Sequence, residues 1–181
     1  KLAADLARRD AMLSHRADAV EASACIAALC ALIPVCSSRE EAVDAALDLI
    51  DKNSLAYEAV EVGKKFVNQS ASNLHDHYGD MSPVHSLNNL AVVIWAFLSF
   101  QDSFDEAIGE TICCGWDTDC TGATVGGLIG LDKGSIPESW TDPWQGRVNT
   151  AIAGVGELKL EDLVERTCKL VDQFSSESDM D

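Results

Sequence analysis

With 181 residues and 47% hydrophobic content, the chain is long and apolar enough to bury one sizeable core, which excludes a disordered polypeptide and favours a single globular domain. Thirteen Lys and Arg stand against 30 Asp and Glu, a formal charge of −17, and this opposes any sequence-independent hold on nucleic acid or on an anionic membrane surface. No apolar run is long enough to span a bilayer, and no basic-then-apolar leader opens the chain, so the expected location is cytoplasmic.

Taken in chain order, the pattern is helical nearly throughout. Lys1 to Leu13 and Ala19 to Ile33 are rich in Ala and Leu, and Pro34 stops the second segment. Ser38 with Glu41 reads as a capping box opening a helix to about Ile50. Leu55, Ala59, Val62 and Phe66 form a helical stripe. Gln69 to Pro83 reads as a polar loop. It carries His75, Asp76 and His77, a grouping expected to be solvated surface rather than a ligand cluster. Val84 to Phe100 is an apolar helix expected to be buried, with His85 as its cap and Asn88 and Asn89 ordering its start. Ser103 with Glu106 opens another helix.

Asp132 to Gly146, with Pro137, Trp140, Pro143 and Trp144, reads as a long connection. Helices near Arg147 to Ala153 and from Leu160 to Phe174 follow, and an acidic tail spans 175–181. No run of alternating strands and no internal repeat is evident. The expected fold is therefore all-α, tightly packed through its many Ala, Gly and Cys residues. The seven cysteines are odd in number, several lie in apolar helical patterns (Cys25, Cys30, Cys168), and no Cys-x-x-Cys occurs, so reduced thiols are expected.

The most informative stretch is Gly115-Trp116-Asp117-Thr118-Asp119-Cys120-Thr121-Gly122. Two carboxylates one residue apart, flanked by hydroxyls, suit a hard divalent cation, which takes oxygen ligands. Gly122, Gly126 and Gly130 recur every four residues, so they line one helix face and invite a close neighbour. With the helix starting near Thr121, Asp117 and Asp119 precede its positive end. Other readings of these residues are a calcium loop of the EF-hand type and a plain helix cap. The first lacks its glutamate, since the twelfth position is Leu128. Cys113, Cys114 and Cys120 lack the spacing of a zinc site, and the carboxylates beside Cys120 disfavour a nucleophilic thiolate.

Read together, these segments resemble the ADP-ribosylglycohydrolase family. The anchors are Gly115-Trp116-Asp117-Thr118-Asp119-Cys120, the early Leu6-Ala7-Arg8-Arg9-Asp10 with Ser14-His15, Val84-His85-Ser86-Leu87-Asn88-Asn89, and Ile136-Pro137-Glu138-Ser139-Trp140-Thr141-Asp142-Pro143. They look most like a bacterial subgroup whose C-terminal metal motif is Asp-Thr-Asp-Cys. The resemblance implies an all-α, multi-helical fold and a centre of two Mg2+ ions, held by an N-terminal Thr-Asp-Asp-Thr type motif and a C-terminal Asp-x-Asp-Thr. By match to the second motif, Asp117 and Asp119 are expected metal ligands, and Cys120 takes the place of a ligating Thr. His15 matches a histidine beside bound ADP-ribose, and Trp116 falls at the pocket edge.

The implied activity is metal-dependent removal of ADP-ribose from ADP-ribosylated protein, or from a related ADP-ribosyl small molecule, by N-glycosidic cleavage. The alternative is a catalytically silent helical module that binds ADP-ribose or a protein partner. Two departures qualify the match. A thiol is a soft ligand, so Thr118, Thr121 or a water supplies the missing oxygen, or the site prefers Mn2+. Nothing reads Thr-Asp-Asp, since Thr118-Asp119 runs into Cys120 and Thr141-Asp142 into Pro143. The chain also begins at Lys1 rather than Met. Residues 1–174 are accordingly expected to be the C-terminal portion of one such domain. They would supply the C-terminal ligands, with an N-terminal portion of the same enzyme as partner, and the isolated chain would be inactive.

Overall fold

Helix α6 (Ser86–Ser99) organises the structure, a computed structural model that describes residues 1–178, with side chains as far as Gln173. Every residue from Leu90 to Leu98 is buried, Trp95 and Phe97 almost totally, so this helix is apolar all round, as a core helix must be. Around it pack α2 (Asp18–Leu32), α3 (Arg39–Leu47), α4 (Leu55–Lys65), α5 (Ser72–Tyr78), α7 (Phe104–Cys113) and α8 (Thr118–Lys133). Helix α1 (Leu2–Ala11) lies on α2. These eight helices form one unit, Lys1–Ser135, and the fold is all-α.

Local chemistry explains the boundaries. Ser38 Oγ accepts from Glu41 N at 3.1 Å, and Glu41 Oε2 reaches back to Ser37 N at 2.7 Å, so the expected capping box forms with its return arm one residue early. Ser54 and Ser103 cap α4 and α7 in the same way. His85 caps α6, its Nδ1 accepting from Leu87 N. Asn88 and Asn89 hold the entry to α6 through the Ser82 and Pro83 carbonyls, as expected.

Close packing is most evident at Gly63. A Cβ there would stand 2.7 Å from the Ala91 carbonyl and 2.9 Å from Ile94 Cβ, so only glycine lets α4 approach α6 this closely. In the stripe predicted for α4, Ala59 and Val62 are buried, whereas Leu55 is 51% exposed because Ala56 and Val60 face the core instead.

Several expectations are revised. The polar stretch after Gln69 is not all loop: α5 forms within it, anchored by fully buried Leu74 and closed by Gly79 at φ 53°. The 132–146 connection begins later, because α8 runs to Lys133 and ends at left-handed Gly134. A short α9 (Glu138–Thr141) and a 3-10 turn (Asp142–Trp144) occupy its middle.

From Ile136 onward a second unit is formed. The helix expected over Arg147–Ala153 is instead a hairpin, β1 (Arg147–Asn149) antiparallel to β2 (Glu157–Lys159), with Val148 opposite Leu158. Gly146, Gly154 and Gly156 at positive φ, together with β-branched Val148 and Thr150, favour the extended form. Helix α10 (Leu160–Ser178) runs four residues past the expected end at Phe174, and the rest of the predicted tail, 179–181, lies outside the described residues.

Candidate metal centre and cleft

The link between α7 and α8 is only a few residues long. Helix α7 closes at Cys114, Gly115 and Trp116 both adopt left-handed φ (80° and 58°), and Asp117 then opens α8 as its N-cap. The helix therefore starts three residues earlier than the sequence suggested. Asp117 precedes it and Asp119 sits in its first turn, where the helix dipole and free amides favour an anionic side chain. Asp117 makes no side-chain cap to the backbone amides of α8.

Oxygens of Asp117 and Asp119 and the Cys120 sulfur all lie within 4.8 Å of one another. Among the described residues this is the one group of three or more such side chains gathered closely enough to hold a metal ion. Cys113 and Cys114 stand outside it. Burial pushes the Cys114 thiol up to about 11. The Cys120 thiol is also pushed up, first by its hydrogen bond to the Asp117 carboxylate and then by the negative charges of Asp117 and Asp119. Both effects disfavour the thiolate that a nucleophile would need. All seven cysteines are free.

The donor chemistry fits a hard dication at the two carboxylates and fits it poorly at the thiol. Thr121 Oγ1 donates to the Asp117 carbonyl at 2.9 Å, which turns that hydroxyl along its own helix.

Cys120 also borders a cleft of about 500 Å³, whose polar wall carries His15, Ser86, Asn89, Thr121 and Thr124. Ala22, Ile26, Leu90 and Val93 form its apolar floor. His15 and Cys120, 105 positions apart in sequence, thus meet at one opening, which is large enough for a small-molecule ligand. His15 is exposed, its Nδ1 at 2.7 Å from Ser14 Oγ. Asn89 borders the cleft, and its Oδ1 is buried without a hydrogen-bond partner.

Trp116 faces elsewhere. Its ring stacks on His75 at 4.0 Å between centroids and 28° between planes, and meets Tyr78 edge-on at 6.1 Å, so α5 rather than the cleft receives it. His75, expected to be solvated, is half-buried, and its Nε2 bonds the Cys114 carbonyl. Spacing alone could not pair a histidine at 75 with a turn at 115–116. The only signal was an aromatic in a position flanked by glycine.

The Gly122 and Gly126 face of α8 does receive a neighbour, but side chains rather than backbone fill it. Ile112 Cδ1 lies 2.8 Å from a Cβ placed at 122, and Ile108 Cδ1 lies 3.3 Å from one at 126.

The structure is thus an all-α body that gathers two carboxylates and a thiol at a helix start, next to a cleft of ligand size. The sequence model of one family, ADP-ribosylglycohydrolase, matches residues 1–177, and the chain belongs to that family. Its members are hydrolases acting on ADP-ribosyl substrates and are generally metal-dependent. Searches of curated proteins and of solved structures gave no match. Among the described residues no helix is long and apolar enough to cross a membrane.

Proposed function

We propose that the chain contributes the C-terminal metal ligands of a hydrolase that removes ADP-ribose from ADP-ribosylated protein, or from an ADP-ribosyl small molecule, by cleaving an N-glycosidic bond. The gathering of Asp117 and Asp119 with Cys120, which borders the same cleft as His15, carries this reading. Asp117 and Asp119 would hold Mg2+, or Mn2+ where the thiol is tolerated. When bound, such ions orient the ribose hydroxyls and a water and offset developing charge.

The residues of the chain do the rest. His15 contacts the ADP-ribose at the mouth of the cleft, and Asn89 borders the same cleft. Trp116, turned to α5, anchors the turn that precedes Asp117. The apolar floor excludes water from one side of the ligand.

Two carboxylates neutralise one dication and cannot balance two. Our reading is therefore that further acidic ligands come from an N-terminal portion of the enzyme, that the 181-residue chain alone holds metal weakly, and that it does not turn over. The same ligand count favours a second reading, a silent module that binds ADP-ribose without cleaving it.

The test is titration calorimetry with Mg2+ and Mn2+, followed by an assay of ADP-ribose release from an arginine-modified protein, for this chain and for a chain carrying a Thr-Asp-Asp-Thr segment. Release only in the second case supports the hydrolase. ADP-ribose binding without release in either supports the silent module, and flat metal titrations in both defeat the metal reading.

A further inference from the structure

The turn that delivers the acidic group contains two consecutive left-handed residues, Gly115 and Trp116. Glycine adopts this conformation freely. A bulky aromatic does not, because its Cβ crowds the neighbouring backbone, and it persists there only when its surroundings hold it. What holds Trp116 is α5. The indole is stacked on the His75 imidazole, with the edge of Tyr78 behind it, and the same imidazole bonds the carbonyl of Cys114, immediately before the turn. A carbonyl oxygen only accepts, so Nε2 carries the proton. One side chain thus grips both ends of a two-residue connection: the carbonyl of Cys114, the C-cap of α7, on one side and the strained aromatic on the other. Directly after that connection come Asp117, Asp119 and Cys120.

We propose that His75 is a positioning residue for the acidic group: by stacking on Trp116 and donating to the Cys114 carbonyl, it fixes the left-handed turn from which Asp117, Asp119 and Cys120 project. This rests on the metal reading above only for its consequence, while the claim about the turn stands on the contacts themselves. His75 touches neither substrate nor metal. It acts as an outer partner that aims the ligands, and losing such a partner typically weakens metal binding 10- to 100-fold.

The experiment compares the full chain with His75→Ala, His75→Phe, Trp116→Gly and the double variant His75→Ala/Trp116→Gly. Mn2+ alone is the probe, read by the paramagnetic resonance of the free ion. Amide exchange over residues 115–121 is measured in parallel, and thermal unfolding checks integrity. His75→Ala is expected to weaken Mn2+ binding about tenfold or more and to speed exchange across the turn, with His75→Phe intermediate because the ring stack survives. In Trp116→Gly the left-handed turn carries no side-chain cost, so adding His75→Ala is expected to change Mn2+ affinity less than it does in the wild type. Equal effects of His75→Ala in both backgrounds, or unchanged exchange over 115–121, would overturn the proposal. If the wild type takes up no Mn2+, the exchange arm alone decides whether His75 holds the turn, and the metal reading is decided on the chain carrying the Thr-Asp-Asp-Thr segment. If His75→Ala does not fold, His75→Phe decides it, overturning the proposal when its turn exchanges as slowly as the wild type.

Discussion

Arg39 and Asp132, 93 residues apart in the chain, meet through two guanidinium nitrogens that converge on Asp132 Oδ2 at 3.0 and 2.8 Å. Arg39 is 4% exposed, and its third nitrogen donates to the Phe97 and Phe100 carbonyls at the end of α6 while the guanidinium lies 4.7 Å over the Phe97 ring. One cation therefore closes α6, binds the last turn of α8 and anchors the start of α3. Arg39→Ala leaves two carbonyls and a carboxylate without their donor, and a loss of about 3–5 kcal/mol in urea unfolding is expected. Asp132→Asn keeps an acceptor on a partly exposed side chain and should cost less.

Two glycines make opposite predictions. A Cβ at Gly63 meets a backbone carbonyl at 2.7 Å, which cannot move without displacing α6, so Gly63→Ala should destabilise by about 1–3 kcal/mol. A Cβ at Gly122 meets only the tip of Ile112, itself 43% exposed and free to rotate. There the helix propensity gained, up to about 1 kcal/mol, should leave Gly122→Ala neutral or slightly stabilised. Paired thermal melts decide both.

Acid sensitivity is expected at the α1–α2 junction. Arg8 clasps Glu21 through two bonds of 2.8 and 2.9 Å, and also donates to the Leu49 carbonyl. The Arg8 hydrogen bonds, with help from the Asp51 amide, hold the Glu21 carboxyl below its usual range against the opposing effect of burial. A depressed folded value means that the stabilisation is complete above the ordinary carboxylate range and is lost as pH falls through the lower one. Arg8, pushed upward by Glu21, stays charged throughout. Glu21→Gln should therefore cost on the order of 1 kcal/mol at pH 7, and the gap to wild type should close on acidification. Urea midpoints measured from pH 7 to pH 3 would show it.

Cys120→Ser replaces a soft, protonated thiol with a hard hydroxyl oxygen at the metal group. Mg2+ should bind more tightly, with little change in melting temperature because the residue is exposed. Activity of a metal-complete enzyme should survive, whereas its abolition with metal binding intact would mark the thiol as a nucleophile.

Much of this arrangement was legible in the residues. The serines at 38 and 103 declare helix starts because capping is local chemistry, and the apolar run around Trp95 declares a buried helix because nothing polar interrupts it. Asp117 and Asp119 were visible as a pair because one helix start carries both. What stayed hidden depends on distance in sequence or on a single buried anchor. Helix α5 has a single fully buried residue, Leu74, among largely polar neighbours. The 147–159 hairpin draws its stability from cross-strand partners that a helical period cannot register. The grips of His75 on Trp116 and of Arg39 on Asp132 join residues that no window of sequence contains together.

Helix α6 has no solvent face along its middle, and it is the element that the helices around it share. Such a strut cannot fray on its own: water reaches the amides between Leu90 and Phe97 only when the surrounding helices part together. Deuterium uptake there should thus report the opening of the whole Lys1–Ser135 body, and a lesion at any of its neighbours should be felt along the full length of the rod.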